Sequence, residues 1–307
     1  MKKIITGTIL SVLFSVNAKA QGCSDAGFCT IRSVKNNTKT AGAGENKNEL
    51  AVNFSFGKGE RSTSYYTTEI EYTKVLSKST SVTGKLGYSF IDGELATTNG
   101  LTDLFLSVSH LFDGKQEWRK SFVAGIKIPL SDAGKVQYGI QLPMPYQTSL
   151  GTTDLVLGYS IAKKSFGATI ALQQPLTSKN KNRFLPEDYP AVRNADKYLP
   201  TNQFSRKGDA LLRLSYNFDL NKKFSIRPSL LFIYHLANDT YTDVSKPGVQ
   251  IMQSAGLTAN INVFASYILK NGNGLELSLG TPFVVRTKRP DGLTRSVVAS
   301  LQYKISF

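Results

Sequence analysis

The side chains of this sequence that could do bond-making chemistry are few and scattered. There are two histidines, His110 and His235, and two cysteines, Cys23 and Cys29. Neither histidine stands in a recognisable catalytic motif, and no metal cluster, phosphate-cradling glycine loop or nucleotide motif is present. The expectation is a protein that is not an enzyme, with no cofactor, no catalytic residue and no metal. What the sequence does carry is a series of charged residues at alternating positions in otherwise apolar or small stretches: Glu69, Glu71, Lys85, Asp103, Lys127, Asp154, Arg213, Arg227, His235, Glu276, Arg286 and Lys304. Charges of both signs on one side of a sheet have two uses. They can pair and hydrate one another in a closed interior, or their basic excess can form part of a solute path.

The elements that must position them follow from periodicity. From Leu50 onward, Leu50, Val52, Phe54 and Phe56 alternate with Ala51, Asn53, Ser55 and Gly57, which is the period of a strand and not of a helix. The pattern returns in eleven more segments. Leu155/Leu157/Tyr159/Ile161 opposes Asp154/Gly158/Ser160, and Leu212/Leu214/Tyr216/Phe218 opposes Arg213/Ser215/Asn217. These runs are longer than the strands of ordinary globular sheets and suit tilted strands crossing a bilayer. With the apolar face toward lipid, the alternating charges above point into a lumen. His110 then faces lipid near a turn, and His235 faces inward.

The connections alternate in kind. Tight turns are expected at Ser77-Lys78, Asp113-Gly114-Lys115, Lys163-Lys164, Asn221-Lys222 and Asn271-Gly272-Asn273, with longer loops near 57–63, 91–100, 130–152, 175–208, 237–253 and 287–294. Six long and five short connections give about twelve strands, with both ends of the sheet on the short-turn side. The expected fold is therefore all-β: a transmembrane antiparallel up-and-down β-barrel. Closure is required because an unpaired backbone group in hydrocarbon costs several kcal/mol. Tyr65, Tyr66, Tyr72, Tyr88, Phe90, Tyr159, Tyr216 and Tyr234 are expected in interfacial girdles. The last strand alternates Leu301, Tyr303, Ile305 and Phe307 and ends on that aromatic residue. This is the kind of signal that the barrel-assembly machinery reads.

The first residues read as an export signal. Met1-Lys2-Lys3 precedes an apolar stretch from Ile4 to Val16 and then Ala18-Lys19-Ala20, with cleavage expected after Ala20. The stretch is too short to span a bilayer as a helix. The division is residues 1–20 as signal peptide, 21–47 as a periplasmic segment, and 48–307 as an outer-membrane barrel. Lipidation at Cys23 is disfavoured because Ala20-Gln21-Gly22 lacks the leucine-like residue such a site prefers. Cys23 and Cys29 form either a disulfide-closed loop or part of a metal site; no histidine lies nearby to complete a ligand set. The formal charge of +15 falls by three when Lys2, Lys3 and Lys19 leave, so the chain stays basic. In that compartment lipopolysaccharide phosphates or anionic solutes explain the excess better than nucleic acid, for which no motif appears.

Three strand entrances share a pattern: Gly100-Leu101-Thr102-Asp103-Leu104, Gly151-Thr152-Thr153-Asp154-Leu155 and Lys207-Gly208-Asp209-Ala210-Leu211. They suggest a hairpin unit copied around the barrel, with each Asp closing a turn through local backbone hydrogen bonds, in preference to a direct solute role. Loop 130–152 carries Tyr138, Leu142, Pro143, Met144, Pro145 and Tyr146 where a solvated loop is expected. Such a cluster needs cover, as a greasy landing site built on Tyr138, Met144 and Tyr146 or as a structural lid. Loop 175–208 adds Arg183, Phe184, Tyr189, Arg193, Lys197 and Tyr198, a mixture suited to lipopolysaccharide or a partner.

Gly100-Leu101-Thr102-Asp103-Leu104, leading through Phe112 to Ala124-Gly125-Ile126-Lys127-Ile128-Pro129-Leu130 and then Gly151-Thr152-Thr153-Asp154-Leu155-Val156-Leu157-Gly158-Tyr159, resembles the outer-membrane transporters grouped as "MetA-pathway of phenol degradation". That family is similar in turn to the FadL-like carriers. The resemblance covers about 60 residues and implies passage of small, often apolar or aromatic molecules. The chain departs from the fatty-acid carrier in having fewer strands, a short leading segment and no Asn-Pro-Ala motif there, so no large plug or lateral exit is implied. Two functions follow from the whole reading. One is passive movement of a small-molecule solute through a charged lumen gated by loops, with outer-membrane lipid, lipopolysaccharide and the barrel-assembly machinery as partners. The other is a non-conducting barrel that binds an envelope component.

Overall fold

The computed structural model describes residues 48–112, 117–293 and 295–307. The expected signal peptide, the segment 21–47 and the Cys23–Cys29 pairing lie outside these residues. Twelve strands run in chain order: β1 Glu49–Gly59, β2 Ser64–Val75, β3 Thr80–Asp92, β4 in two pieces, Thr97–Leu101 and Leu104–Phe112, and β5 Arg119–Ile128. They continue as β6 Asp154–Lys163, β7 Phe166–Pro175, β8 Asp209–Tyr216, β9 Phe224–His235, β10 Gly256–Ile268, β11 Gly274–Val284 and β12 Arg295–Ser306. Each pairs antiparallel with its sequence neighbours, and β1 closes on β12 from Glu49 opposite Ser306 through Phe54 opposite Leu301. The result is a closed twelve-stranded up-and-down antiparallel β-barrel.

The period-two pattern decides which face is which. Phe54, Ile70, Tyr88, Leu106, Ile170 and Leu279 point outward and remain exposed, whereas Ala51, Asn53, Ser89, Ser107, Thr169 and Ser229 are buried inside. An outward apolar belt with every strand paired is the arrangement that lets a sheet cross hydrocarbon. Leu301, Tyr303 and Ile305 belong to this outward face, lying opposite Phe54, Val52 and Leu50 of β1. The Phe307 backbone N–H donates to Asn48 O at 3.0 Å, which carries the seam to the barrel's end.

At one end the strands turn tightly, and the turn residues explain how. Asn221 Oδ1 accepts from the backbone N–H of Lys223 and of Phe224, and Ser77 Oγ accepts from Thr80 N. Gly272 supplies a φ of +84° in the last turn. At the other end the loops differ from expectation in two places. The connections near 57–63 and 91–100 are not long: β1 and β2 extend to within four residues of each other, and Thr97–Leu101 pairs with β3 as a strand. Ladder hydrogen bonds satisfy backbone that a loop would leave to water, so the strands extend wherever register allows.

The long loops 129–153, 176–208, 236–255 and 285–293 fold over and into the mouth. Leu142, Tyr146 and Phe184 pack against Tyr65, Ile91 and Tyr198, while Met144, Leu150 and Phe204 pack with Ala133 and Ile251. Gly292 has a φ of +67°, and a Cβ there would lie 2.5 Å from Pro145 Cα, so only glycine lets these two loops touch. Tyr65 therefore belongs inside: its hydroxyl donates to Pro145 O at 2.9 Å, and its expected place in an outer girdle is corrected.

Candidate functional site

The site is the lumen, and the strand alternation aims its side chains. Glu69, Glu71, Lys85, Lys127, Arg213, Arg227, His235, Glu276 and Lys304 all project inward from strands and are shielded. Arg286 is also buried, but it lies two residues beyond β11, in loop 285–293, where it meets other loop residues at the mouth. Most of these groups are partnered. Lys85 Nζ lies 3.0 Å from Glu69 Oε1, whose other oxygen accepts from Asn53 Nδ2 at 3.0 Å. Glu276 stands between Arg227, at 3.8 Å, and Lys304, at 3.6 Å.

The three repeated aspartates converge on this lumen. Asp103 Oδ2 is 2.9 Å from Lys127 Nζ and Asp154 Oδ2 is 3.9 Å from the same amine, so one cation serves two carboxylates. Asp154 also accepts from Thr152 Oγ1 and Gln173 Nε2, and Asp103 accepts from Ser149 Oγ. The expectation that each Asp closes a turn through local backbone groups is therefore corrected. These carboxylates point inward and hold side chains, because an inward position next to a cation offers more than a solvated turn.

Asp209 belongs to a second network at the mouth. His235 sits between two carboxylates, Nδ1 2.7 Å from Asp209 Oδ1 and Nε2 2.8 Å from Asp239 Oδ1. Arg206 bonds Asp209 and lies 3.5 Å from Asp291, while Arg286 Nη2 donates to Asp291 Oδ2 at 2.8 Å. Three aspartates, two arginines and one histidine thus lock loops 176–208, 236–255 and 285–293 to the rims of β8 and β9. Burial opposes ionisation of Asp291, but the guanidinium groups of Arg286 and Arg206 outweigh it and hold the carboxyl below the usual carboxylate range.

The expected landing cluster separates. Tyr138 is 91% exposed at a loop tip, whereas Met144 and Tyr146 are buried. Tyr146 accepts from Leu95 N through its hydroxyl and stands 3.0 Å from the Tyr198 hydroxyl. Burial, followed by that hydrogen bond, pushes the Tyr198 phenol above its ordinary value. The three residues form no single surface, because the Met144–Tyr146 turn dives inward and the Tyr138–Gly139 tip points away. His110 is exposed on the outer face beside Thr80, 3.0 Å from its hydroxyl.

Two features were not foreseen. Phe105, Val123, Val156, Leu211, Leu231 and Ile233 make an apolar cluster on the inner wall. Their inward register was readable, but their meeting across five strands was not. The second is a cavity of about 210 Å³, lined by Glu69, Lys85, Asp103 and Lys127 on one side and by Arg213, Asn262, Phe264 and Gly280 on another, with Met144 and Leu150 reaching in from the loop.

A closed twelve-stranded barrel with an outward apolar belt and a polar, loop-capped lumen belongs to the outer-membrane β-barrel class. Comparison with solved structures agrees. The COG4313 outer membrane channel from Pseudomonas putida F1 superposes with a TM-score of 0.60 at 11% identity, covering 85% of this chain and 96% of that one. Also similar are the NanC porin (TM-score 0.49, 10% identity, 84% and 98% covered) and the CymD monoaromatic hydrocarbon channel (0.44, 10%, 93% and 94%). No protein-family model and no curated protein matches the sequence.

Proposed function

We propose that this barrel is a narrow outer-membrane channel for small molecules, gated by its inward loops. The observation that carries the reading is the lumenal cavity of about 210 Å³ beneath the folded-in loops. A purely structural barrel has no need to keep room there, since interiors otherwise close to near-crystalline density. Phe105, Met144 and Phe264 give the cavity apolar surface beside its charges. This fits the small, apolar or aromatic solutes that the resemblance to the "MetA-pathway of phenol degradation" transporters implies. Movement would be diffusive and need no cofactor.

The buried loop contacts favour a second reading. Tyr146, Phe184 and Phe204 are wholly buried, and the six-residue ionic network ties the mouth shut, as suits a non-conducting barrel whose outer loops bind lipopolysaccharide or another envelope component. Liposome swelling separates the two. Purified barrel reconstituted in liposomes is expected to admit arabinose faster than empty vesicles, and removal of residues 135–147 is expected to speed entry further. A correctly folded, heat-modifiable barrel that admits no arabinose even after that removal would overturn the channel reading.

A further inference from the structure

Arg213 differs from every other lumenal cation. It is 1% exposed, projects inward from the middle of β8, and lines the cavity. Among the described residues none accepts a hydrogen bond from its Nε, Nη1 or Nη2. Its guanidinium carbon lies 5.9 Å from the centre of the Phe264 ring, reaching across β9 to β10. A guanidinium cannot shed its proton to escape burial, and a cation without a partner in a shielded site is costly. Asn262, the next inward residue to Phe264 on β10, also lines the cavity, is shielded, and holds an Nδ2 group that finds no hydrogen-bond partner among the described residues. Gly280 gives it room: a Cβ there would stand 2.5 Å from Asn262 Oδ1.

The lone donors thus line one cavity, with the Phe264 ring beside the Arg213 guanidinium and the Arg227 guanidinium 4.8 Å from the centre of the same ring. N–H donors in a planar fork match the two oxygens of a carboxylate, and charge-assisted bonds of this kind are about twice as strong as neutral ones. Phe264 is placed to meet an apolar body attached to that carboxylate. We infer that Arg213 and Asn262 form a binding step in the lumen for a small organic carboxylate with an apolar body, the solute class that the proposed channel passes. This inference rests on the channel reading for its purpose, though not for its detection.

The test is calorimetric titration of the detergent-solubilised barrel with benzoate, with benzamide as the neutral isostere. Benzoate is expected to bind at least about tenfold more tightly than benzamide, the effect of one charge-assisted hydrogen-bond pair. Arg213→Met should abolish that preference and Asn262→Ala should weaken benzoate by a few-fold, with heat-modifiable mobility confirming that both variants fold. Equal binding of benzoate and benzamide, or a folded Arg213→Met barrel that retains the preference, overturns the site. Equal competition by inorganic phosphate overturns the carboxylate assignment. Arabinose entry without a benzoate preference defeats this inference and spares the channel. Benzoate binding without arabinose entry defeats the channel and leaves the site standing.

Discussion

On the side of the cavity built from β2 to β6, Lys85 sits 3.0 Å from Glu69, and Lys127 sits 2.9 Å from Asp103 while also facing Asp154. On the side built from β8 to β10, Arg213 is as deeply shielded, yet among the described residues no carboxylate or carbonyl receives its N–H groups. Both sides use the same alternation and both put cations inside, so register does not explain the difference. A buried cation with its own carboxylate holds strands together; one whose N–H groups find no acceptor among the described residues has bonds left to give. Charge in a lumen is therefore informative only once its partners are known.

The largest expected effect breaks the first side. Lys127→Met leaves Asp103 and Asp154 without their shared cation, and should destabilise the barrel by about 3–5 kcal/mol, read from its unfolding midpoint in denaturant. Arg213→Met on the other side should leave that midpoint unchanged or raise it by about 1–4 kcal/mol, because a well-packed apolar side chain replaces a buried cation that has no hydrogen-bond acceptor among the described residues. Equal destabilisation by the two substitutions would erase the contrast.

The mouth network offers a sharper version, because its carboxylates are paired in loops. Asp291 has a depressed folded pKa, so its stabilisation is fully present above the unfolded carboxylate value of about 4 and is lost only as pH falls through the lower folded value. Protease protection of loop 285–293 should therefore persist at pH 5 and fail only below about pH 4. Asp291→Asn should expose the loop at neutral pH, at a cost of about 1–3 kcal/mol. Loss of protection already at pH 5 would show that Asp291 is not held by its arginines.

The smallest effect concerns a neutral contact. Tyr198→Phe removes the buried bond to Tyr146 and should cost about 1 kcal/mol. The raised pKa of Tyr198 means that its contribution is complete below the unfolded tyrosine value of about 10 and fades as pH rises above it. The loops should thus loosen in strong alkali in the unmodified protein, a change seen as faster solute entry. The Phe variant should show less of it.

Alternation is a local property, and it carried most of the architecture. Leu50, Val52 and Phe54 against Ala51 and Asn53 gave the inner and outer faces, and turn residues such as Asn221 and Gly272 marked where strands reverse. The inward aim of Glu69, Lys85, Lys127, Arg213, Arg227, Glu276 and Lys304 followed from the same period. Loops were less legible. Thr97–Leu101 reads as turn-forming but extends β3's ladder, and the Tyr138–Tyr146 segment gave no sign that Tyr138 would face out while Met144 and Tyr146 turned in.

Sequence by itself determined a twelve-stranded barrel, its two faces and the residues that look inward, because each depends on spacing along one strand and on the need to pair every backbone group in hydrocarbon. Only the tertiary structure decided which inward charges are partnered. Asp154 meets Lys127, Asp291 meets Arg206 and Arg286, and Arg213 meets no acceptor among the described residues, because these pairings depend on barrel closure, shear and loop packing between residues far apart in the chain.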